Sequence, residues 1–193
     1  NPILDTPDDH AHLCRAELTS RGILFITGST EDYKISNSLG SIIKDNYSPF
    51  NYSNVYNEKM DFNYDSSYAN YANTNLFIGY IPQALAILTA KLFGKIFGLN
   101  AIFIVIFGRL FNLAFYASIV RVAIKKASIF KVPLSIVAMS PMALFIATSF
   151  NPDATTYALV FLLIGYILQL YRKENIEIKD IVIYSILCIL IGF

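Results

Sequence analysis

The sequence predicts an all-α protein: a polytopic transmembrane helical bundle with a large, mixed first extracytoplasmic loop that carries juxtamembrane helices. Two observations predict it. More than half of the 193 residues are apolar, and they are crowded into the second part of the chain. Up to Asn75 the chain is polar; from Leu76 onward Ile, Leu, Phe, Ala and Val dominate, in runs that approach the roughly 20 residues a bilayer core about 30 Å thick requires. The charge divides at the same point. Residues 1–75 carry ten acids and five bases, residues 76–193 four acids and ten bases, so a formal net charge of +1 hides two opposite halves. The bases of the second half lie between apolar runs, which is an orientation signal and not a nucleic-acid patch.

Taken in order, Thr6-Pro7-Asp8-Asp9 reads as a helix start: Thr6 can cap, Pro7 suits the first helical position, and acids favour the first turn. That helix is expected to run to about Ser20 and stop at Gly22. Residues 23–27 are a short β-branched and aromatic run, and 45–75, rich in Asn, Tyr and Ser, reads as a loop held by tyrosine packing. Residues 1–75 together form the first extracytoplasmic loop. Segment 76–98 is apolar, but Pro82 interrupts it and Lys91 and Lys95 lie in its second half. It is expected to be a juxtamembrane helical segment, bent or surface-lying, that lies along or dips into the outer surface. Residues 99–193 hold the transmembrane helices, at 101–124, 132–150, 152–171 and, cut short, 181–193.

Two short loops fix the expected orientation. Arg121, Lys125, Lys126 and Lys131 concentrate charge in one, and Arg172, Lys173 and Lys179 in the other. The positive-inside rule places both in the cytoplasm and Asn100 outside; residues 1–75 are then outside if 76–98 does not span, the reading that its short apolar stretch, Pro82 and the two lysines favour, and cytoplasmic if it does. Asn1 is not an initiator Met and 181–193 is an apolar run still in progress, so the chain reads as a stretch of something longer, with an upstream helix expected. Cys14 and Cys188, one in the polar part and one in a membrane helix, are not expected to pair.

Polar residues with chemical potential form three groups. Asp8, His12 and Arg15 fall on one helical face, with Asp9 beside them. A carboxylate and an imidazole one turn apart can hold a divalent metal or share a proton, and Arg15 can meet a phosphate. The same residues also suit a capped helix with acids in its first turn. Asn151-Pro152-Asp153, expected on the outer side between two membrane helices, has the same two readings. Arg109 lies well inside a membrane helix, with Asn112 and Tyr116 continuing its face. A charge there needs a partner or water, unless it snorkels to the interface. No phosphate-binding glycine loop, cysteine metal set or serine-nucleophile elbow is present, which leaves nothing to suggest nucleotide hydrolysis.

Several of these residues, in this order, resemble a bacterial membrane family known as domain of unknown function 2142. They are Pro7-Asp8-Asp9 with His12, Arg15 and Gly22; Tyr80-Ile81-Pro82 and Leu92-Phe93-Gly94; Arg109 and Asn112; Pro141-Met142; and Asn151-Pro152-Asp153. That family is similar in layout to GT-C class membrane glycosyltransferases. The resemblance implies residence in the bacterial cytoplasmic membrane and transfer of a sugar from a polyprenyl-phosphate donor to an envelope glycan or lipid acceptor. Asp8 and Asp9 would be the catalytic residues and the ligands of any divalent metal. His12, Arg15, Arg109 and Asp153 would bind substrate or its phosphate. Asp9 stands where many members carry Glu. The lipid bilayer is the other expected partner, and nucleic acid is not one. The competing reading is a non-enzymatic transporter, flippase or scaffold component of envelope polysaccharide assembly.

Overall fold

The structure, a computed structural model, describes residues 8–46, 56–67, 72 and 75–192. Among these the ordered elements are helical, and strand pairing is confined to two isolated bridges, Ile35 with Ser66 and Lys59 with Asn100. The chain divides into two compact units. One runs to Phe111 and takes in Ser149–Asn151; the other comprises Asn112–Thr148 and the chain from Pro152 onward. The first unit therefore merges the polar opening with the apolar segment that follows it.

Helix α1 (Asp9–Ser20) is the centre of the first unit. It is polar by composition, yet Asp9 and every residue from His12 to Thr19 are buried. This is tolerable because its polar side chains find partners inside the unit. The helix ends as expected: the Gly22 amide donates to the Thr19 carbonyl and the Ile23 amide to Leu18, with Gly22 in the left-handed region at φ 83°. Thr6 and Pro7 lie outside the described residues. Asp8 occupies the cap position with φ 61°, and its side chain makes no capping hydrogen bond.

Helix α2 (Asn37–Asn46) buries Leu39, Ile42 and Ile43 in the same core as Leu13, Cys14, Ala16 and Leu18 of α1. Its first turn is fastened to the loop at 61–63: Ser38 donates to the Asp61 carbonyl, and Asn37 donates to the Asp61 carboxylate at 2.8 Å.

A 3₁₀ turn at Phe77–Tyr80 leads into α3 (Ile81–Phe97). Pro82 sits in the first turn of α3, where a missing N–H costs nothing, so it starts the helix and does not bend it. One face of α3 (Gln83, Ala86, Ile87, Ala90) is buried and the helix packs on α1, while Leu85, Leu88, Leu92 and Ile96 are exposed. Lys91 is not a misplaced charge: it forms an ion pair with the fully buried Glu17 of α1 and lies over the Tyr64 ring.

Helix α4 (Ile102–Lys126) continues from the first unit into the second. Among the described residues, three helical stretches are long and apolar enough to cross a membrane: Phe77–Phe97, α4, and α7 (Asp153–Leu170). The segment 132–150, expected as one helix, is two: α5 (Lys131–Ala138) and α6 (Pro141–Ala147). Pro141 lacks an amide hydrogen, and its ring would clash with the Val137 carbonyl of a continuous helix. The break is well satisfied. Ser140 caps α6 by accepting from the Ala143 amide, and the Tyr116 hydroxyl donates to the Ala138 carbonyl at 2.9 Å. Tyr116, Ala123, Leu134, Ala138, Ala158 and Phe161 form the core of this unit. Helix α8 (Ile178–Gly192) packs on α7, with Tyr166 donating to Asp180 at 3.0 Å.

Candidate functional site

The first unit places its charged residues around the start of α1. Asp9 follows the left-handed turn at Asp8 and its side chain is fully buried. Its Oδ1 accepts from the Phe150 amide at 3.1 Å, and its Oδ2 lies 3.9 Å from Nη2 of Arg109, whose side chain is 20% exposed. The far side of Phe150 is held as well: Gln83 of α3 donates to the Phe150 carbonyl at 3.4 Å. The Phe150 ring lies against Gly108, where an added Cβ would approach ring carbons to 2.1 Å, so a larger residue there would have to displace the buried ring. Three elements distant in sequence thus meet at one carboxylate. Asp8, by contrast, is exposed.

His12 and Arg15 face inward one and two turns further on. His12 Nδ1 is 2.8 Å from the Tyr80 hydroxyl. The Arg15 guanidinium donates to the carbonyls of Asn75 (2.8 Å), Ile23 (3.0 Å) and Leu24 (2.6 Å) and to the Thr19 hydroxyl (3.0 Å). Its hydrogen-bonding capacity goes to the protein's own loops, which gives it the position of a tie between α1 and the segments around it and not that of a phosphate ligand. Burial lowers the Arg15 pKa from its ordinary value and pushes that of the neighbouring Cys14 thiol well up.

The family model described as "Predicted membrane protein (DUF2142)" matches residues 1–193. The chain belongs to this family. No curated protein and no solved structure matches it. As a member of DUF2142 with three stretches suited to crossing a bilayer, it is a helical membrane protein.

Of the residues the sequence singles out in this DUF2142 chain, the first unit brings together Asp9 and Arg109, with Asp8 adjoining Asp9 in sequence and His12 and Arg15 further along α1. Asp153 belongs to the second unit, where it is exposed in the first turn of α7. The donor set suits a divalent ion poorly. The Asp9 carboxylate is turned toward a guanidinium and an amide, and among the described residues no three His, Cys, Asp or Glu converge. Sequence reasoning missed Gln83, Glu17 and the Phe150 amide, and singled out Tyr80 only as part of a motif and not as the partner of His12. Gln83 carried a signal, as a polar side chain in an apolar run; the amide carried none.

Proposed function

We propose that this DUF2142 chain contributes the acceptor side of a membrane glycosyltransferase, with residues 1–75 outside the bacterial cytoplasmic membrane. The sugar would pass from a polyprenyl-phosphate donor to an envelope glycan or lipid acceptor. The observation that carries this reading is the pair of unlike carboxylates at the head of α1: Asp8 exposed, Asp9 buried against Arg109. An exposed carboxylate on a fixed helix start is suited to general-base work, and a buried one to fixing that start. In the proposed step the acceptor oxygen attacks the anomeric carbon. Its proton passes to Asp8, and the bond from that carbon to the donor phosphate breaks. Arg109, paired with Asp9 but partly exposed, is the cation best placed to meet the leaving phosphate. Arg15 serves by holding α1 in place. The resemblance to GT-C enzymes and the two basic loops support the same placement.

The full burial of Asp9 favours the second reading, a transporter or scaffold in which the Asp9–Arg109 pair is only a clasp. Glycan analysis of the cell envelope in an Asp8→Asn strain separates the two. Asp8 is exposed, so the variant should accumulate normally and lose the modified glycan. An unchanged glycan at normal protein level would overturn the enzymatic reading.

A further inference from the structure

The second unit contains a slot of about 340 Å³ between α4 and the break that separates α5 from α6. One wall is a single face of α4, from Leu113 through Ala117 and Val120 to Ile124; the other is Ala138, the exposed Met139 and Leu144. The slot follows from Pro141. The helix is interrupted at Met139 and Ser140, and the Tyr116 hydroxyl that reaches across is already spent on the Ala138 carbonyl. What remains is lined by hydrocarbon, one adaptable thioether and Ser135, whose hydroxyl donates to the Lys131 carbonyl at 2.8 Å. At one end the chemistry changes. Arg121 and Lys125, exposed and one turn apart on the same face of α4, close the slot with two positive charges. From Leu113 to Lys125 the helix rises about 18 Å at about 1.5 Å per residue, a length suited to an acyl chain.

The geometry points to a site for one anionic phospholipid, drawn from the leaflet that meets the C-terminal end of α4. Its tail fills the slot and its phosphate lies between Arg121 and Lys125. A wholly apolar occupant leaves the two cations unused, and a small anion leaves the slot empty; an anionic amphiphile uses both. Basic pockets between membrane helices select anionic headgroups through the same combination of tail burial and charge. The inference is independent of any sugar transfer.

Acyl-chain spin-labelled phosphatidylglycerol and phosphatidylcholine, each added to the full chain in phosphatidylcholine vesicles, test it. The motionally restricted signal should favour phosphatidylglycerol by about tenfold, a preference that two nearby basic side chains can supply. Arg121→Gln combined with Lys125→Gln should reduce the preference to within about twofold. Ala117→Phe, which fills the slot and keeps both cations, should also abolish it; Met139→Trp fills it from the other wall if that variant fails to fold. Equal retention of the two lipids by the native chain overturns the site. So does a preference that survives both slot-filling variants, since surface charge alone would then explain it. Disulfide-linked dimers of Met139→Cys without lipid preference would assign the slot to a second copy and equally overturn the proposal.

Discussion

Asp9 and Arg109 sit in one unit with the carboxylate fully buried, and removing either charge takes from the other an ion-pair partner. Asp9→Asn should destabilise the solubilised protein by about 3 kcal/mol, read as a lower Tm. Arg109→Gln should cost a similar amount, and the double variant clearly less than the two added together. Equal and additive losses would show that the two side chains are not coupled. Asp8, Asp9, His12 and Arg15 are legible in the sequence as one group, because acids, imidazole and guanidinium recur at helical spacing, and Arg109 as another, because an arginine interrupts an apolar run; that Arg109 meets Asp9 is not. Nor is their division of labour. Spacing assigns Asp8, His12 and Arg15 to one face, but α1 is buried on nearly all faces, so burial and not periodicity separates the exposed Asp8 from the residues that hold the fold. The contact of Asp9 with a backbone amide leaves no trace in side-chain pattern at all.

The helices themselves are mostly legible, and the reading turns on where two prolines stand. Pro82 is expected to break or kink the helix near its start, and it does so by marking that start: the 3₁₀ turn at Phe77–Tyr80 places it in the first turn, with no kink beyond it. Pro141 was passed over within an expected single helix and in fact divides it. The break depends on Tyr116, so Tyr116→Phe should cost about 1–2 kcal/mol by leaving the Ala138 carbonyl with one partner fewer in a buried place, measured as a lower Tm. No change would mean that the carbonyl is satisfied otherwise. The attachment of α2 to the loop should in turn depend on pH. The Asp61 carboxyl is held below its ordinary value, first because it accepts from the Asn63 amide at 2.9 Å and then from Asn37. Its contribution is therefore fully present above the ordinary carboxylate value of 3.8 and is lost as pH falls through the lowered value. The amide protection factors at 61–65, taken against the intrinsic exchange rate at each pH, should stay flat from neutral pH down to that range and then fall, and Asp61→Asn should remove the acid-dependent step. An exchange profile identical in native and variant protein would contradict this.

For the whole molecule, the compositional step near residue 75 revealed an all-helical membrane protein but not its compact units, because α1 is polar in sequence and central in space. The expected orientation can be tested at Ser29, which is exposed, in a background where Cys188 is replaced by Ser and the native Cys14 is fully buried. Ser29→Cys should react with an impermeant maleimide in intact cells; reaction only after lysis would reverse the topology. The hydrogen bond from Phe150 to Asp9 has a further bearing on how the chain is made. It joins residues 141 positions apart, and the chain leaves the first unit after Phe111 before returning at Ser149. At ribosomal speeds of about 5–20 residues per second, roughly 7 to 28 s separate synthesis of Asp9 from arrival of the amide that it accepts from. During that interval α1 has neither Phe150 nor, for most of it, Arg109 to cover its first carboxylate. The first unit begins early and closes late, and a chain stopped at Thr148 should leave the head of α1 open to proteases that the longer chain resists.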